Sequence, residues 1–235
     1  MIRNPYGYKD TRPSHIKNII ENKDAEVLWF LPIAQMYRFA GTSLSNPSPD
    51  LEPLKLFLEE LFDDQIPKFE SPHDFISQLK DRFKIYLKHH KVFVDTFTIE
   101  RSSTSVYCLF FFTNHILGFE KMLEAKWDLD PQAGQGHKMN RNPQLFREIE
   151  LQRYPQRLRM FLQETEYKTN DELYLFGLEN GFLPKHTTQE LKGMGNDIEV
   201  REIDGKLARK NAYYIGTKKI VHIYYRPKPI QSSLF

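Results

Sequence analysis

Apolar residues recur along this chain first at helical and then at strand spacing, and the changes of period mark its elements. Helical spacing starts at Pro13, whose fixed φ suits a first helical position, and runs through Ile16, Ile19 and Ile20 toward Lys23. Val27, Leu28, Trp29, Phe30 and Leu31 then stand in succession, the continuous apolar run of a strand covered on both faces, and Pro32 stops it. A short helix over 33–39 and a loop over 43–50, marked by Pro47 and Pro49, follow. Two amphipathic helices are expected next. One covers 51–62, with Leu54, Phe57, Leu58 and Leu61 on one face; the other covers 71–87, with Ser71 as N-cap and Pro72 at its first position. Both read as insertions between sheet elements. Residues 92–99 and 104–112 form an antiparallel hairpin around Glu100-Arg101-Ser102-Ser103, and a helix is expected over 114–127.

Residues 131–143, rich in Gly, Gln and Asn, read as a mobile linker. Beyond it the order becomes helix, helix, helix, β-ribbon. The first helix covers 145–164 with a break expected before Pro155; Thr169-Asn170-Asp171-Glu172 fits a capping box opening a helix over 172–180; Pro184 opens a third, to about Met194. Strands over 199–203 and 212–215 flank Asp204-Gly205, and 220–225 supplies another. Three helices and a basic hairpin describe a winged helix-turn-helix, although small β-rich packing modules read similarly. The expected organisation is an α/β domain over 1–130, the linker, a winged-helix module over 144–226 and a tail over 227–235.

Composition narrows the class. At 235 residues with 40% hydrophobic and 14% aromatic content, the chain can bury a sizeable core. No apolar run reaches a membrane span and the amino terminus lacks the apolar stretch of a signal peptide, so no membrane partner and a cytoplasmic location are expected. The single cysteine, Cys108, excludes an internal disulfide or a cysteine cluster and reads as a buried, inert thiol. No metal site is expected: His89 and His90 are adjacent, hence on different faces, and Glu59, Glu60, Asp63 and Asp64 read as a solvated helix end. The net charge of +2 hides an asymmetry, since Lys206, Arg209, Lys210, Lys218, Lys219, Arg226 and Lys228 crowd a C-terminal stretch free of acids from Gly205 onward. Such a stretch suits a phosphate backbone.

The opening Ile2-Arg3-Asn4-Pro5-Tyr6-Gly7 reads as a strand end entering a tight turn. Strand with an Asn-Pro-Tyr turn, helix, buried strand, helix and closing hairpin is the order of the second half of a class I methyltransferase-like (Rossmann-like) sheet. In Asn4-Pro5-Tyr6-Gly7-Tyr8-Lys9, Glu26-Val27-Leu28, Tyr37-Arg38-Phe39, Thr113-Asn114-His115, Leu117-Gly118 and Glu120-Lys121-Met122, the chain resembles the three-Cys-motif partner protein family. The resemblance covers nearly the whole chain but only the family's later portion. It implies a partial methyltransferase-like α/β domain with inserted helices, followed by the winged helix. It also implies a three-Cys-motif protein, encoded nearby, as partner, which agrees with the lone cysteine here. Two departures bear on activity: the family's turn usually begins with Asp where Asn4 stands, and the first strand with its Gly-rich loop and the acidic end of the second strand have no counterpart. The expectation is therefore that this chain alone binds no cofactor, and that S-adenosylmethionine would be bound only if the missing half were supplied. Gly134-Gln135-Gly136 follows a helix and linker, whereas a phosphate cradle follows a strand.

Candidate site residues follow. In amino methyltransferases acting on bases, a turn of this type accepts hydrogen bonds from the exocyclic amine and stacks the base; Asn4, Pro5, Tyr6 and Gly7 would form it, with Tyr6 or Tyr8 stacking, and the alternative is a turn that merely ends a strand. Gln35 and Arg38 lie just past the buried strand, at the sheet edge where ligands bind, and Arg38 contacts phosphate or pairs with a carboxylate. Thr113-Asn114-His115 falls at the opposite edge, with Thr113 or Asn114 a helix cap and His115 structural. Lys185, His186, Thr187, Thr188 and Gln189 open the third helix of the winged module, where base edges would be read, and Lys206, Arg209 and Lys210 crown the wing. The other reading is a module packed on a protein. Gln231-Ser232-Ser233-Leu234-Phe235 resembles a sliding-clamp docking peptide, with Gln231, Leu234 and Phe235 as its anchors. A nucleic-acid-associated, DNA-binding partner protein is the first functional expectation, and a fragment or subunit of a nucleic-acid methyltransferase the second. The first strand, as the edge of a half sheet, is expected to bring self-association or a second chain.

Overall fold

The computed structural model describes residues 12–21, 25–45, 48–63, 65–102, 104–130, 136–138 and 144–227. The chain divides into two compact units, Met1–Pro143 and Gln144–Phe235. Each is a mixed α/β unit built around a small sheet.

The first unit runs α1 (Pro13–Glu21), β1 (Val27–Leu31), α2 (Ile33–Ser45), α3 (Glu52–Phe62), α4 (Pro72–Tyr86), a 3-10 turn (Lys88–His90), β2 (Phe93–Ser102), β3 (Ser105–Thr113), α5 (Ile116–Leu129) and β4 (Gly136–Lys138). The sheet order is β1-β3-β2-β4. β3 is antiparallel to both β1 and β2, and β4 pairs parallel with Thr98, Ile99 and Glu100 of β2. Register sets Trp29 beside Phe110 and Val94 beside Phe112, so these side chains share one face. There Phe83 of α4 lies edge-on to Trp29, Phe110 and Phe112, at centroid distances of 6.0, 5.8 and 5.1 Å. Ile16 and Ile20 of α1, Met36 of α2 and Leu54 and Phe57 of α3 join the same core. On the other face Phe93 stacks on Phe119 of α5 at 4.9 Å, which makes three layers.

This layering corrects the expectation for β1. Val27, Trp29 and Leu31 are buried, but Leu28 and Phe30 are half-buried, because four helices crowd one face and Phe30 stacks instead on Tyr107 at 5.2 Å. Helix α2 also outruns its expected end, since Ala40 and Ser43 are buried and the Ser43 hydroxyl donates to the Ala40 carbonyl at 2.7 Å. The expected linker contains a strand, β4, whose first residue, Gly136, lies so close to the Thr98 carbonyl that a Cβ would collide with it. The cap of α4 follows the reading: Ser71 Oγ accepts from the Asp74 amide at 3.1 Å and Pro72 follows. The cap of α5 does not. His115 occupies the N-cap position and its side chain does not cap the helix, while Thr113 Oγ1 accepts from the His115 amide at 3.0 Å.

A charged cluster sits inside this unit. Asp95 of β2, 3% exposed, accepts at Oδ1 from Lys80 Nζ of α4 at 2.6 Å and at Oδ2 from Lys126 Nζ of α5, itself 2% exposed. Burial opposes the ionised Asp95, yet the charges of Lys126 and Lys80 hold its carboxyl well below the usual range. Burial pulls the Lys126 ammonium down, against the attraction of Asp95. Cys108 is buried and free, and burial pushes its thiol up to about 12, so it is an unreactive core group.

The second unit runs α6 (Gln144–Gln163), β5 (Lys168–Thr169), α7 (Asn170–Glu179), α8 (Pro184–Met194), a 3-10 turn (Gly195–Asp197), β6 (Ile198–Glu202) and β7 (Val221–Tyr225). Its sheet is antiparallel, ordered β5-β7-β6. Tyr154, Leu158 and Leu162 of α6 pack with Leu173, Leu191, Met194, Val200, Val221 and Ile223. That face straddles Pro155 and keeps α6 continuous where a break was expected; proline costs one amide donor, and packing on both sides outweighs it. The Thr169–Glu172 capping box is present, with α7 starting at Asn170. Residues 212–215 are not a strand. Positive φ at Asn211 (62°) and Tyr214 (53°) breaks the extended run, and Tyr213 and Ile215 are buried within this core.

Candidate nucleic-acid interface

Helix α8 has two unlike faces. Thr187, Leu191 and Met194, spaced i, i+4, i+7, are buried. The complementary stripe holds Lys185, Thr188, Gln189 and Lys192; Lys185, Gln189 and Lys192 are exposed and Thr188 is half-buried. The helix thus presents polar side chains of hydrogen-bonding type on its open side, beginning in its first turn.

Two expected reading residues are removed from that stripe. Thr187 is fully buried, its hydroxyl 2.6 Å from the Tyr154 hydroxyl, and Gly177 leaves room for it: a Cβ there would lie 2.6 Å from Thr187 Oγ1. Thr187 therefore belongs to the core. His186 folds back on its own helix start, where Nδ1 accepts from the Leu183 amide at 3.1 Å. Burial, aided by the neighbouring Lys185 charge, lowers its imidazole to about 4, so it is neutral at pH 7 and adds nothing to the positive field.

Between β6 and β7 the chain makes a hairpin tip and a long return. The tip closes through Gly205 at φ 84°, with the Gly205 amide donating to the Glu202 carbonyl at 2.9 Å and the Glu202 amide to the Lys206 carbonyl at 2.8 Å. The Ala208 amide bonds the Val200 carbonyl at 2.9 Å, and Leu207 bridges Arg201. The return is fastened by Asn170: Nδ2 donates to the Tyr214 and Lys219 carbonyls at 2.8 and 3.0 Å, and Oδ1 accepts from the Val221 amide at 2.9 Å. Asn170 is fully buried, so each bond replaces solvation. Asn170→Ala is expected to destabilise the second unit by about 3 kcal/mol by stranding these groups, with amide exchange in 213–221 accelerated; an unchanged exchange pattern would refute the fastening role.

Charge is unevenly compensated here. Lys206 pairs with Asp204 at 2.9 Å, Lys219 with Glu202 at 2.7 Å and Arg201 with Glu199 at 2.6 Å, all near the surface and weak. Among the described residues Arg209, Lys210 and Lys218 are exposed and make no ion pair, and the same holds for Lys185 and Lys192 of α8.

The first unit contributes less. Gln35 and Arg38 are exposed on α2, just past the carboxyl end of β1, and Arg38 has no carboxylate partner among the described residues. Thr113 lies at the opposite edge, paired with Phe93 at the start of β2. Asn4, Pro5, Tyr6, Gly7 and Tyr8, the Gly134-Gln135 pair and the tail anchors Gln231, Leu234 and Phe235 lie outside the described residues. Among the described residues no group of His, Cys, Asp or Glu is arranged to hold a metal, and no helix is long and apolar enough to cross a membrane.

Sequence reasoning passed over Lys192 and Asn170. Lys192 stands seven residues after Lys185, a helical interval that marks it from the pattern alone. Asn170 was visible only as part of a cap; its partners lie 44 to 51 residues away, and no local signal points to them. Set against known proteins, the chain matches no family model, no curated protein and no solved structure.

Proposed function

We propose that the chain binds duplex nucleic acid through its second unit, a winged helix-turn-helix in which α8 enters the major groove and the 203–220 segment is the wing. The carrying observation is the stripe Lys185, Thr188, Gln189 and Lys192 on the open side of α8, next in the chain to a hairpin whose Arg209, Lys210 and Lys218 are uncompensated. The order α6-β5-α7-α8-β6-β7 with sheet order β5-β7-β6 supports the winged-helix reading. Lys and Gln on α8 suit base edges, and the wing cations suit phosphates. The first unit is the scaffold. Its β3, antiparallel between β1 and β2, supports the resemblance to the closing part of a methyltransferase-like sheet, with a three-Cys-motif protein or a second chain as partner and S-adenosylmethionine bound only with a complementary half sheet.

Fluorescence anisotropy with a duplex, repeated over a salt series, tests the proposal. Affinity is expected to fall steeply with salt, and Arg209→Ala with Lys210→Ala to reduce the log–log slope by about 0.9 for each phosphate no longer neutralised. Lys185→Ala with Gln189→Ala is expected to erase preference among duplex sequences while leaving most of the slope. Duplex affinity that is absent at low salt, or indifferent to all four substitutions, refutes the proposal. Calorimetry with S-adenosylmethionine tests the scaffold role separately; tight binding to this chain alone overturns it.

A further inference from the structure

The wing carries, besides its cations, two large aliphatic side chains in water. Ile203 is 69% exposed and Leu207 is 68% exposed, one entering and one leaving the Asp204-Gly205-Lys206 turn. Neither is a loose end. Leu207 is bridged to Arg201, on the strand face opposite Val200, which is buried in the core, and the Arg201 guanidinium donates to the Gly205 carbonyl at 3.0 Å. The turn is thus closed by backbone bonds on both legs and braced by an arginine, so the two side chains are held out at the tip rather than folded against the unit. Keeping them wet forgoes the gain of burying them, and the solvent-side position of Leu207 would accept a polar residue without loss to the core.

The flanks indicate what covers them. Arg209 and Lys210 follow the tip within three residues of Leu207, Lys218 stands on the return, and all three are exposed and make no ion pair among the described residues, whereas Lys206 and Lys219 are paired with Asp204 and Glu202. An apolar protein surface would not call for these unpaired cations, whereas a groove walled by phosphates does. A rigid apolar tip between cations is the form of a wedge that enters the minor groove and partly unstacks a base step.

The geometry points to the wing tip as such a wedge: Ile203 and Leu207 insert at a base step in the minor groove, with the unpaired Arg209 and Lys210 on the flanking phosphates, and the duplex is kinked when bound. This role presupposes duplex binding by the second unit and adds to it a deformation and a preference for easily unstacked pyrimidine–purine steps.

The test uses the full chain and a short duplex carrying 2-aminopurine at a central TA step, with donor and acceptor dyes at its ends. Binding is expected to raise 2-aminopurine fluorescence a few-fold and shorten the end-to-end distance. Ile203→Ser with Leu207→Ser, both on the surface, is expected to abolish both signals and weaken binding about tenfold with the salt slope unchanged, because every phosphate-facing cation is kept. Salt-dependent binding with neither signal, or with signals that survive the double substitution, overturns the wedge alone. Absence of any salt-dependent binding overturns duplex binding and the wedge with it. A concentration-dependent dimer in analytical ultracentrifugation that the double substitution dissolves assigns the tip to a second copy of the chain and likewise overturns the wedge.

Discussion

Asp95→Ala is expected to lower the stability of the first unit by about 3–5 kcal/mol. The substitution leaves Lys126, 2% exposed, without its counter-ion, and Lys80 without the carboxylate 2.6 Å away. The Lys126 ammonium, out of water and facing a void, is then repelled by the partly exposed Lys80, so the loss exceeds what the intact triad contributes. Replacing Asp95 with Leu and Lys126 with Met together is expected to recover most of it, since a well-packed apolar pair removes the desolvation cost that the charges carry. Urea denaturation followed by tryptophan fluorescence measures this directly, because both tryptophans, Trp29 and Trp127, lie in the first unit. The pH dependence has a definite sign. The folded Asp95 carboxyl is held below its unfolded value, so its stabilisation is present above about pH 4 and fades as pH falls further. Wild-type protein is expected to lose stability over that acid range and Asp95→Ala to show a flatter profile. An Asp95→Ala protein within about 1 kcal/mol of wild type would refute the buried pairing.

Phe83→Ala is expected to cost a similar amount, about 3–5 kcal/mol, for a different reason. Phe83 is fully buried and its ring meets Trp29, Phe57, Phe110 and Phe112, the last at 5.1 Å. It joins α4 to both β1 and β3, and a void there cannot collapse without moving a helix or two strands. Phe83→Leu is expected to lose about half as much by refilling part of the volume. The ring also shields Trp29, so the Phe83→Ala protein should show red-shifted native tryptophan emission; an unshifted spectrum with unchanged urea midpoint would contradict this packing. Both residues belong to the first unit, and duplex binding per folded molecule is expected to persist in both.

The contrast between what could be read and what could not follows the range of the interactions. Ser71 and Pro72 at α4, the Thr169–Glu172 box at α7 and Pro184 at α8 were legible because a cap is satisfied within one turn of the chain. The hairpin of β2 and β3 was legible because alternation and a polar turn suffice. Pro155 misled for the converse reason: the local rule says break, and the buried face of α6 overrules it. The apolar run of β1 misled as well, since Leu28 and Phe30 are only half-buried on the face turned away from the crowded helices. In α8, the types and spacing of Lys185, Thr188 and Gln189 were legible, but Thr187 looked equally open and is instead buried against Tyr154.

The sequence by itself determined the capped starts of α4 and α8 and the β2–β3 hairpin, which stretch is basic and that one cysteine stands in an apolar run, because each depends on neighbours a few residues away. Only the tertiary structure decided that Asp95 gathers two lysines from α4 and α5, that Asn170 fastens a segment some fifty residues on, and that Ile203 and Leu207 are left in water. Those outcomes depend on which faces meet across the fold, and burial is a property of the assembled chain that no single segment carries.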